Sequence, residues 1–234
     1  MGSTESSVVG AYWGDRRESA AECGRRLAEC VDSLRKAHPV LASWFRLGAS
    51  KAAAKTPVAV DASSLAGLFE KGRSRRDDNG EAIEELGFSV GMWNRARPAV
   101  NLSAFGGSYA GHPGIVNSFL LNVSAPDDGA ESLYEPDTAR AVFKAVVGAW
   151  EPEQATWTTY GWDVAQSRAP REPVVGWLTY LGGARLDEAI GWASWRLAGG
   201  LVVQAAPHFQ STDEAAVVAV RQQLQRLGAL RPIP

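Results

Sequence analysis

Residues 87–123 decide the fold class, because they hold three apolar runs separated by turn signals. The runs are GFSVGMW at Gly87–Trp93, AVNLSAF at Ala99–Phe105 and IVNSFLLNV at Ile115–Val123. Runs of this length and composition predict β-strands, and Arg97-Pro98 and Gly106-Gly107 between them are typical of turns. The partial alternation of apolar and polar side chains in the third run indicates a sheet that is covered on one face.

The flanking segments add both strands and helices. Further strands are predicted at Val8–Gly14, Ala189–Leu197 and Leu201–Ala206, the last two joined by a turn at Ala198-Gly199-Gly200. Helical spacing predicts helices from Glu18 to Lys36, from the N-cap Asp61 to Gly72, from Pro136 to Trp150, and from a capping box at Ser211–Glu214 to Gly228. Because strands and helices do not alternate regularly, we expect an α+β fold, a mainly antiparallel sheet packed with several helices, as a single domain over 1–234.

Composition excludes several classes of protein. The chain has 234 residues, a net charge of −2 and 45% apolar residues, which excludes a disordered chain and a globally basic nucleic-acid binder. No run of 18 apolar residues occurs, so no membrane-spanning helix is predicted. Cys23 and Cys30 are about 10 Å apart along a predicted helix, which is too far for a disulfide and indicates reduced thiols. We therefore expect a cytoplasmic protein.

Motifs for catalysis are missing from the sequence. It contains no Gly-x-Ser-x-Gly elbow, no phosphate-binding loop and no paired-histidine zinc signature. The three histidines, His38, His112 and His208, each adjoin a proline, which is typical of turns. The sequence predicts no catalytic residue, no metal ligand and no cofactor. A hydrolase or transferase that pairs His112 with a carboxylate stays as an alternative, and a deep pocket holding both groups would support it.

An acidic segment is the candidate partner-binding site. Between residues 127 and 153, seven carboxylates face only two basic side chains, Arg140 and Lys144, which leaves a local net charge of −5. Such a run is either a solvated surface or a patch that complements a basic cleft on another protein. The seven candidate residues are Asp127, Asp128, Glu131, Glu135, Asp137, Glu151 and Glu153. A second acidic cluster around Asp77 and Asp78 is balanced by neighbouring basic residues.

Nine tryptophans are many for a chain of this length. They indicate either a large core or contact with a partner, because tryptophan anchors interfaces by burying a broad, rigid surface. A scaffold protein that associates through tryptophans is a further alternative.

A series of motifs resembles a known family in its order along the chain. Tyr12-Trp13-Gly14 opens the series, a helix leads to Trp44, and Trp93-Asn94 and Asn117 follow in the strand region. Gly176-Trp177 and Tyr180 come later, before a Gly199-Gly200 turn. Together these motifs resemble the immunity protein 52 family of bacterial polymorphic-toxin systems, over nearly the whole chain. We interpret the motif residues as structural: Tyr12, Trp13, Gly14, Trp44, Trp93, Gly176, Trp177 and Tyr180.

The resemblance implies an α+β immunity protein, an antitoxin without enzymatic activity that binds and neutralises a cognate toxin. Genes of the family typically lie beside toxins that carry a restriction-endonuclease-like nuclease domain, so a nuclease effector is the expected partner. The resemblance also implies a cytoplasmic location and delivery of the toxin by type VI or related secretion. Neither nucleic acid nor a membrane is an expected partner of this chain.

Overall fold

The computed structural model describes residues 5–47, 53–112, 114–169, 171–184 and 190–233. Their centre is one antiparallel sheet of nine strands, in the order β2-β3-β4-β5-β1-β6-β7-β9-β8. The strands are β1 (Ser7–Trp13), β2 (Phe45–Arg46), β3 (Phe88–Trp93), β4 (Val100–Gly106), β5 (Asn117–Val123), β6 (Gln154–Thr159), β7 (Leu178–Leu181), β8 (Ala193–Leu197) and β9 (Gly200–Gln204). The helices are α1 (Ala20–Ala37), α2 (Ala62–Lys71), α3 (Pro136–Trp150), α4 (Tyr160–Ala165) and α5 (Glu214–Arg226). The predicted α+β class with an antiparallel sheet is confirmed.

The three strands predicted between residues 87 and 123 are confirmed. In β3, β4 and β5 every second residue is buried, and the residues between them are half-buried or exposed. Predicted and observed bounds of these three strands differ at most by two residues at one end. The predicted run Ala189–Leu197 is shorter in the structure, where β8 begins at Ala193, and Ala189 itself lies outside the described residues.

Two strands in the tryptophan-rich stretch, β6 and β7, were not predicted from the sequence. All six residues of β6 are buried, and so are all four of β7. Neither strand therefore has an exposed face, and polar positions of β6 such as Gln154 and Thr156 alternate with apolar residues over only a short stretch. The short helix α4 between them begins at the N-cap Thr159, whose hydroxyl accepts a hydrogen bond from the Trp162 amide at 3.3 Å.

Capping side chains set where the long helices begin. Ser19 and Glu22 form a reciprocal capping box at the start of α1, and Asp61 caps α2 as predicted. The capping box predicted at Ser211–Glu214 is wrong, because the N-cap of α5 is Asp213, which accepts from the Ala216 amide at 2.8 Å. The Ser211 hydroxyl instead donates to the His208 carbonyl within a preceding turn.

The two faces of the sheet are covered differently. The first face carries Val9, Ala11 and Trp13 of β1, and α3 lies on it, since Trp150 stacks on Trp13 with ring centroids 5.2 Å apart. Helix α1 packs against α3 on this side. On the second face, which carries Gly10 and Tyr12, α5 covers only the strands beyond β6.

We call the strands β6, β7, β9 and β8 the covered half of the sheet, and β2 to β5 the open half. In the covered half, Val203 and the α5 residue Val220 both lie against Gly191, so the second face is buried over β6, β7 and β9, whereas the second-face residues of the edge strand β8 are exposed. In the open half, the second-face residues Asn101, Ser103 and Leu120 are half-buried or exposed. Strand β1 forms the boundary between the two halves.

Candidate functional site

Five of the seven predicted carboxylates lie between residue 127 and the first turn of α3. Asp127 and Asp128 lie in a 3-10 turn, Glu131 begins a second such turn, Glu135 is the N-cap of α3, and Asp137 lies in its first helical turn. All five are exposed. None of them forms a salt bridge or a side-chain hydrogen bond within the part of the chain that the structure describes. We call this set the acidic end of α3.

The positions of Glu135 and Asp137, at the N-cap and in the first turn of α3, agree with helix electrostatics. The N-terminus of a helix carries a partial positive charge, so acidic residues stabilise the first turn. Pro136 occupies the first position of α3, where the missing N–H costs no hydrogen bond. Part of the acidic end is therefore explained by stabilisation of the helix, and its exposed side chains remain available to bind cationic groups of a partner.

A buried hydrogen-bond cluster holds the acidic end in place. The Tyr134 hydroxyl donates to the Ser124 carbonyl at 2.7 Å and lies 2.8 Å from the Ser7 hydroxyl of β1. The indole of Trp157 also donates to that Ser7 hydroxyl, at 2.8 Å. Burial raises the pKa of Tyr134 to about 12, so the phenol stays a neutral donor. These buried hydrogen bonds fix the backbone next to the exposed carboxylates.

Glu151 and Glu153 lie at the other end of α3. The helix has 15 residues, so its ends are about 21 Å apart at 1.5 Å per residue. Glu151 forms a 2.9 Å ion pair with Arg26. The guanidinium of Arg26 also pairs with the buried carboxylate of Glu18. The structure therefore divides the seven predicted residues into two groups. In the second group Glu151 is paired, whereas Glu153 forms no ion pair with a described residue.

Most residues of the predicted structural motif are buried. Trp13, Gly14, Trp44, Gly176, Trp177 and Tyr180 are buried, whereas Tyr12 and Trp93 are half-buried. The indole N–H of Trp44 donates to the Leu41 carbonyl, and that of Trp177 donates to the Ala206 carbonyl, both at 3.0 Å. Gly176 allows a close approach of two chain segments, because a Cβ there would lie 2.1 Å from the Trp157 carbonyl oxygen.

A cleft of about 570 Å³ on the second face was not predicted from the sequence. It lies at the boundary between the open and the covered half, above β1 and β6, and helix α4 borders it. Its floor includes Tyr12 and Gln154, which are direct cross-strand neighbours in the register of these two strands. Its rim carries the ion pair of Asp163 with Arg168, 2.7 Å long. The volume is within the range of ligand pockets in proteins.

Gly10 determines how Tyr12 sits in this cleft. A Cβ on Gly10 would lie 2.5 Å from the Tyr12 hydroxyl and 2.8 Å from its ring, so the phenol lies flat over the glycine. Burial raises the pKa of Tyr12, the Asp163 carboxylate raises it further and Arg168 opposes the rise. The hydroxyl is therefore a protonated, neutral group at physiological pH. The sequence signal for this feature is the Gly-x-Tyr spacing on one strand face.

The histidine that could support an enzyme is not in the cleft. His112 is exposed, and its Nδ1 accepts a 3.0 Å hydrogen bond from the Gly114 amide in the same loop. His38 contacts the Ser132 hydroxyl, and burial lowers the pKa of its imidazole. Over the described ranges, no group of three His, Cys, Asp or Glu side chains could hold a metal ion.

The fold and its surfaces are those of an α+β protein with an exposed acidic end and a neutral cleft, and comparison with known proteins gives its class. The sequence profile of immunity protein 52 matches residues 5–233, so this chain belongs to the immunity protein 52 family. The resemblance drawn from the motifs is confirmed. No curated protein matches the chain.

A solved structure supports the same fold. The Pseudomonas aeruginosa T6SS protein PA0821 is similar with a TM-score of 0.57 at 16% sequence identity, over 97% of this chain and 73% of that protein. At this identity the likeness concerns the fold. Among the residues that the structure describes, no helix has the length and apolar character needed to cross a membrane.

Proposed function

We propose that this chain neutralises a cognate toxin by direct contact in the cytoplasm, without performing chemistry itself, and that the toxin is a nuclease with a restriction-endonuclease fold. Membership of an immunity protein family over residues 5–233 supports the general role. The similar fold of a protein described as a T6SS protein favours delivery of the toxin by type VI secretion.

The acidic end of α3 is the observation that carries the nuclease assignment. A nuclease binds phosphate groups through a basic cleft, because phosphate contacts supply most of the affinity for DNA. The unpaired carboxylates of Asp127, Asp128, Glu131, Glu135 and Asp137 offer the same charge to that cleft on a rigid protein surface. Complementary charges of this kind mainly accelerate association and fix the register of the two partners.

Blocking the toxin's DNA-binding cleft requires a protein–protein interface of ordinary size. A stable interface buries roughly 1,600 Å² in total, and a few central residues supply most of its affinity. Because no carboxylate of the acidic end forms an ion pair with a described residue, binding a basic partner breaks no salt bridge within this protein. That reduces the cost of forming the complex.

Charge reversal at a matched pair of sites tests the proposal. Asp127→Lys/Asp128→Lys changes the acidic end, and Asp77→Lys/Asp78→Lys makes the same change in another exposed turn. With the purified toxin domain encoded beside this gene, we expect the first variant to weaken binding about tenfold or more, mainly by slower association. The control variant should bind like the unchanged chain.

The activity assay is cleavage of plasmid DNA by the toxin domain in the presence of each variant. We expect full protection by the unchanged chain and by the control variant, and partial protection by the Asp127→Lys/Asp128→Lys variant. Absence of a complex together with unhindered cleavage would contradict the proposed function. Equal loss in both variants would contradict the role of the acidic end.

A further inference from the structure

One row of second-face residues crosses the sheet from a buried end to an exposed end. Pairing registers place Tyr12 opposite Gln154 on one side and opposite Ser118 on the other. Beyond Gln154, the row continues into the covered half through Leu181 and Leu201, which are both buried. Tyr12 and Gln154 are thus the two polar groups where the buried part of the row ends.

Gln154 is a buried polar side chain without a partner. Its exposed fraction is 7%, and its amide forms no hydrogen bond with any residue in the described part of the chain. The amide is not among the fully enclosed polar atoms, and Gln154 lines this cleft as well as a neighbouring pocket that the loop after α5 borders. Buried polar groups in native proteins are nearly always paired, so an unpaired amide that faces a cleft indicates a site for a ligand.

The Tyr12 hydroxyl is a second free group in the cleft. It makes no hydrogen bond within the described ranges, and it lies over Gly10, whose cross-strand neighbour Thr156 is two residues from Gln154 on β6. A glutamine amide offers both donors and an acceptor, and a phenol offers one donor and an acceptor. A second amide, which also has an N–H and a C=O, complements this pair.

Charge and shape narrow the class of ligand further. Two acidic residues, Asp163 and Glu172, and two basic residues, Arg168 and Arg171, line the cleft, and Glu172 is paired with Arg221. Because the two acidic and two basic side chains that line the cleft balance, its charge selects neither an anionic nor a cationic ligand. The cleft continues onto the open half, whose face would support a longer segment on either side of the buried contact.

We propose that this cleft receives an uncharged, amide-bearing stretch of the toxin polypeptide, which pairs with the Gln154 amide and the Tyr12 hydroxyl. The inference rests on the proposed function, because it takes the partner to be a protein. The proposed contact is uncharged and specific through its hydrogen bonds, and it is separate from the charged contact at the acidic end of α3.

Three variants of the full chain test this contact by its affinity for the toxin domain encoded beside this gene. Tyr12→Phe and Gln154→Leu each remove hydrogen-bonding groups at nearly constant volume, and each should weaken binding about three- to tenfold, mainly through faster dissociation. Gly10→Ala should weaken binding to a similar degree by pushing the Tyr12 ring into the cleft.

Matched controls are Tyr109→Phe and Gln222→Leu, which make the same chemical changes outside the cleft, and thermal unfolding verifies that every variant is folded. Unchanged affinity of Tyr12→Phe and Gln154→Leu, while Asp127→Lys/Asp128→Lys loses affinity, would overturn this inference alone. Absence of any complex with the unchanged chain would contradict the proposed function and this inference with it. If the cleft variants instead abolish association between copies of this chain, a second copy is the occupant and the inference is wrong.

Discussion

The covered and the open half of the sheet are built from the same strand geometry but differ in what lies on their second face. In the covered half, Leu201 and Val203 are buried, whereas in the open half Leu120 and Ser103 remain half-buried. One register row joins Ser103, Leu120, Gly10 and Val203, so the change occurs along a continuous line of neighbours. We therefore expect second-face side chains of the covered half to contribute more to the free energy of unfolding, and those of the open half to be available for contact with a partner.

Tryptophan truncation should reveal the largest difference, between Trp157 on the first face of the covered half and Trp93 on the second face of the open half. Trp157 in β6 is fully buried and contacts the rings of Tyr134 and Trp177. We expect Trp157→Ala to lower the free energy of unfolding by about 3–5 kcal/mol. Trp93→Ala in the open half should cost clearly less, because Trp93 is half-buried. Urea unfolding of both variants measures this, and equal costs would contradict the distinction.

Leucines on the same face give a closer comparison. Leu201 has an exposed fraction of 4%, while Leu120 is half-buried on the second face of β5. We expect Leu201→Ala to cost about 2–4 kcal/mol and Leu120→Ala less than about 1 kcal/mol. A large cost at Leu120 would show that something covers the open half in solution, and comparison of unfolding midpoints at several protein concentrations would then identify self-association.

Two asparagines of β5 compare its two ends and its two faces. The Asn117 side chain donates to the carbonyls of Gly14 and Ser108 at 2.6 and 3.0 Å and accepts from the Ser108 amide at 2.9 Å. We expect Asn117→Ala to cost about 1–3 kcal/mol, because it leaves these backbone groups unpaired. Asn122→Ala, which removes one exposed bond to Asn101, should change stability by less than about 0.5 kcal/mol. Guanidinium unfolding of the two variants provides the measurement.

Alkaline pH should weaken the layer of helices on the first face. Burial raises the pKa of the Cys23 and Cys30 thiols from 9.0 to about 12. Since the folded pKa exceeds the unfolded value, this contribution to stability is complete below about pH 9 and is lost as pH rises towards 12. We expect a decline of up to about 1.4 kcal/mol per pH unit for each thiol.

The variant Cys30→Ala tests this origin of the decline. Its urea midpoint should be lower at pH 8, because a cavity forms, but should fall less steeply between pH 9 and pH 11 than that of the unchanged chain. The same slope in both proteins would assign the alkaline loss to other groups.

How far the sequence predicts this molecule differs from strand to strand. Strands β3, β4 and β5 of the open half were predicted because turn signals separate three apolar runs, the third of which also alternates from Asn117 to Val123. Strands β6 and β7 were missed because neither has an exposed face and the alternation in β6 is confined to a short stretch that begins at Gln154. Helix starts were predicted where the capping residue was unambiguous, as at Asp61, and misplaced where Ser211 and Asp213 competed.

The two candidate sites also differ in how far the sequence predicts them. The acidic end of α3 is contiguous in sequence, so its charges were visible as a run, although the separation of Glu151 and Glu153 required the length of the helix. The cleft joins Tyr12 to Gln154, which are far apart along the chain, and their contact depends on the pairing of β1 with β6. No local pattern in the sequence encodes that register.

The close fit between Gly10 and the Tyr12 ring has an evolutionary consequence. A homologue with any larger residue at the first position has no space for a flat aromatic ring two residues later, so the two positions should be substituted together across the family. Lineages that keep the glycine but replace the tyrosine would have an emptier cleft, and their toxins are expected to have diverged at the segment that reaches it.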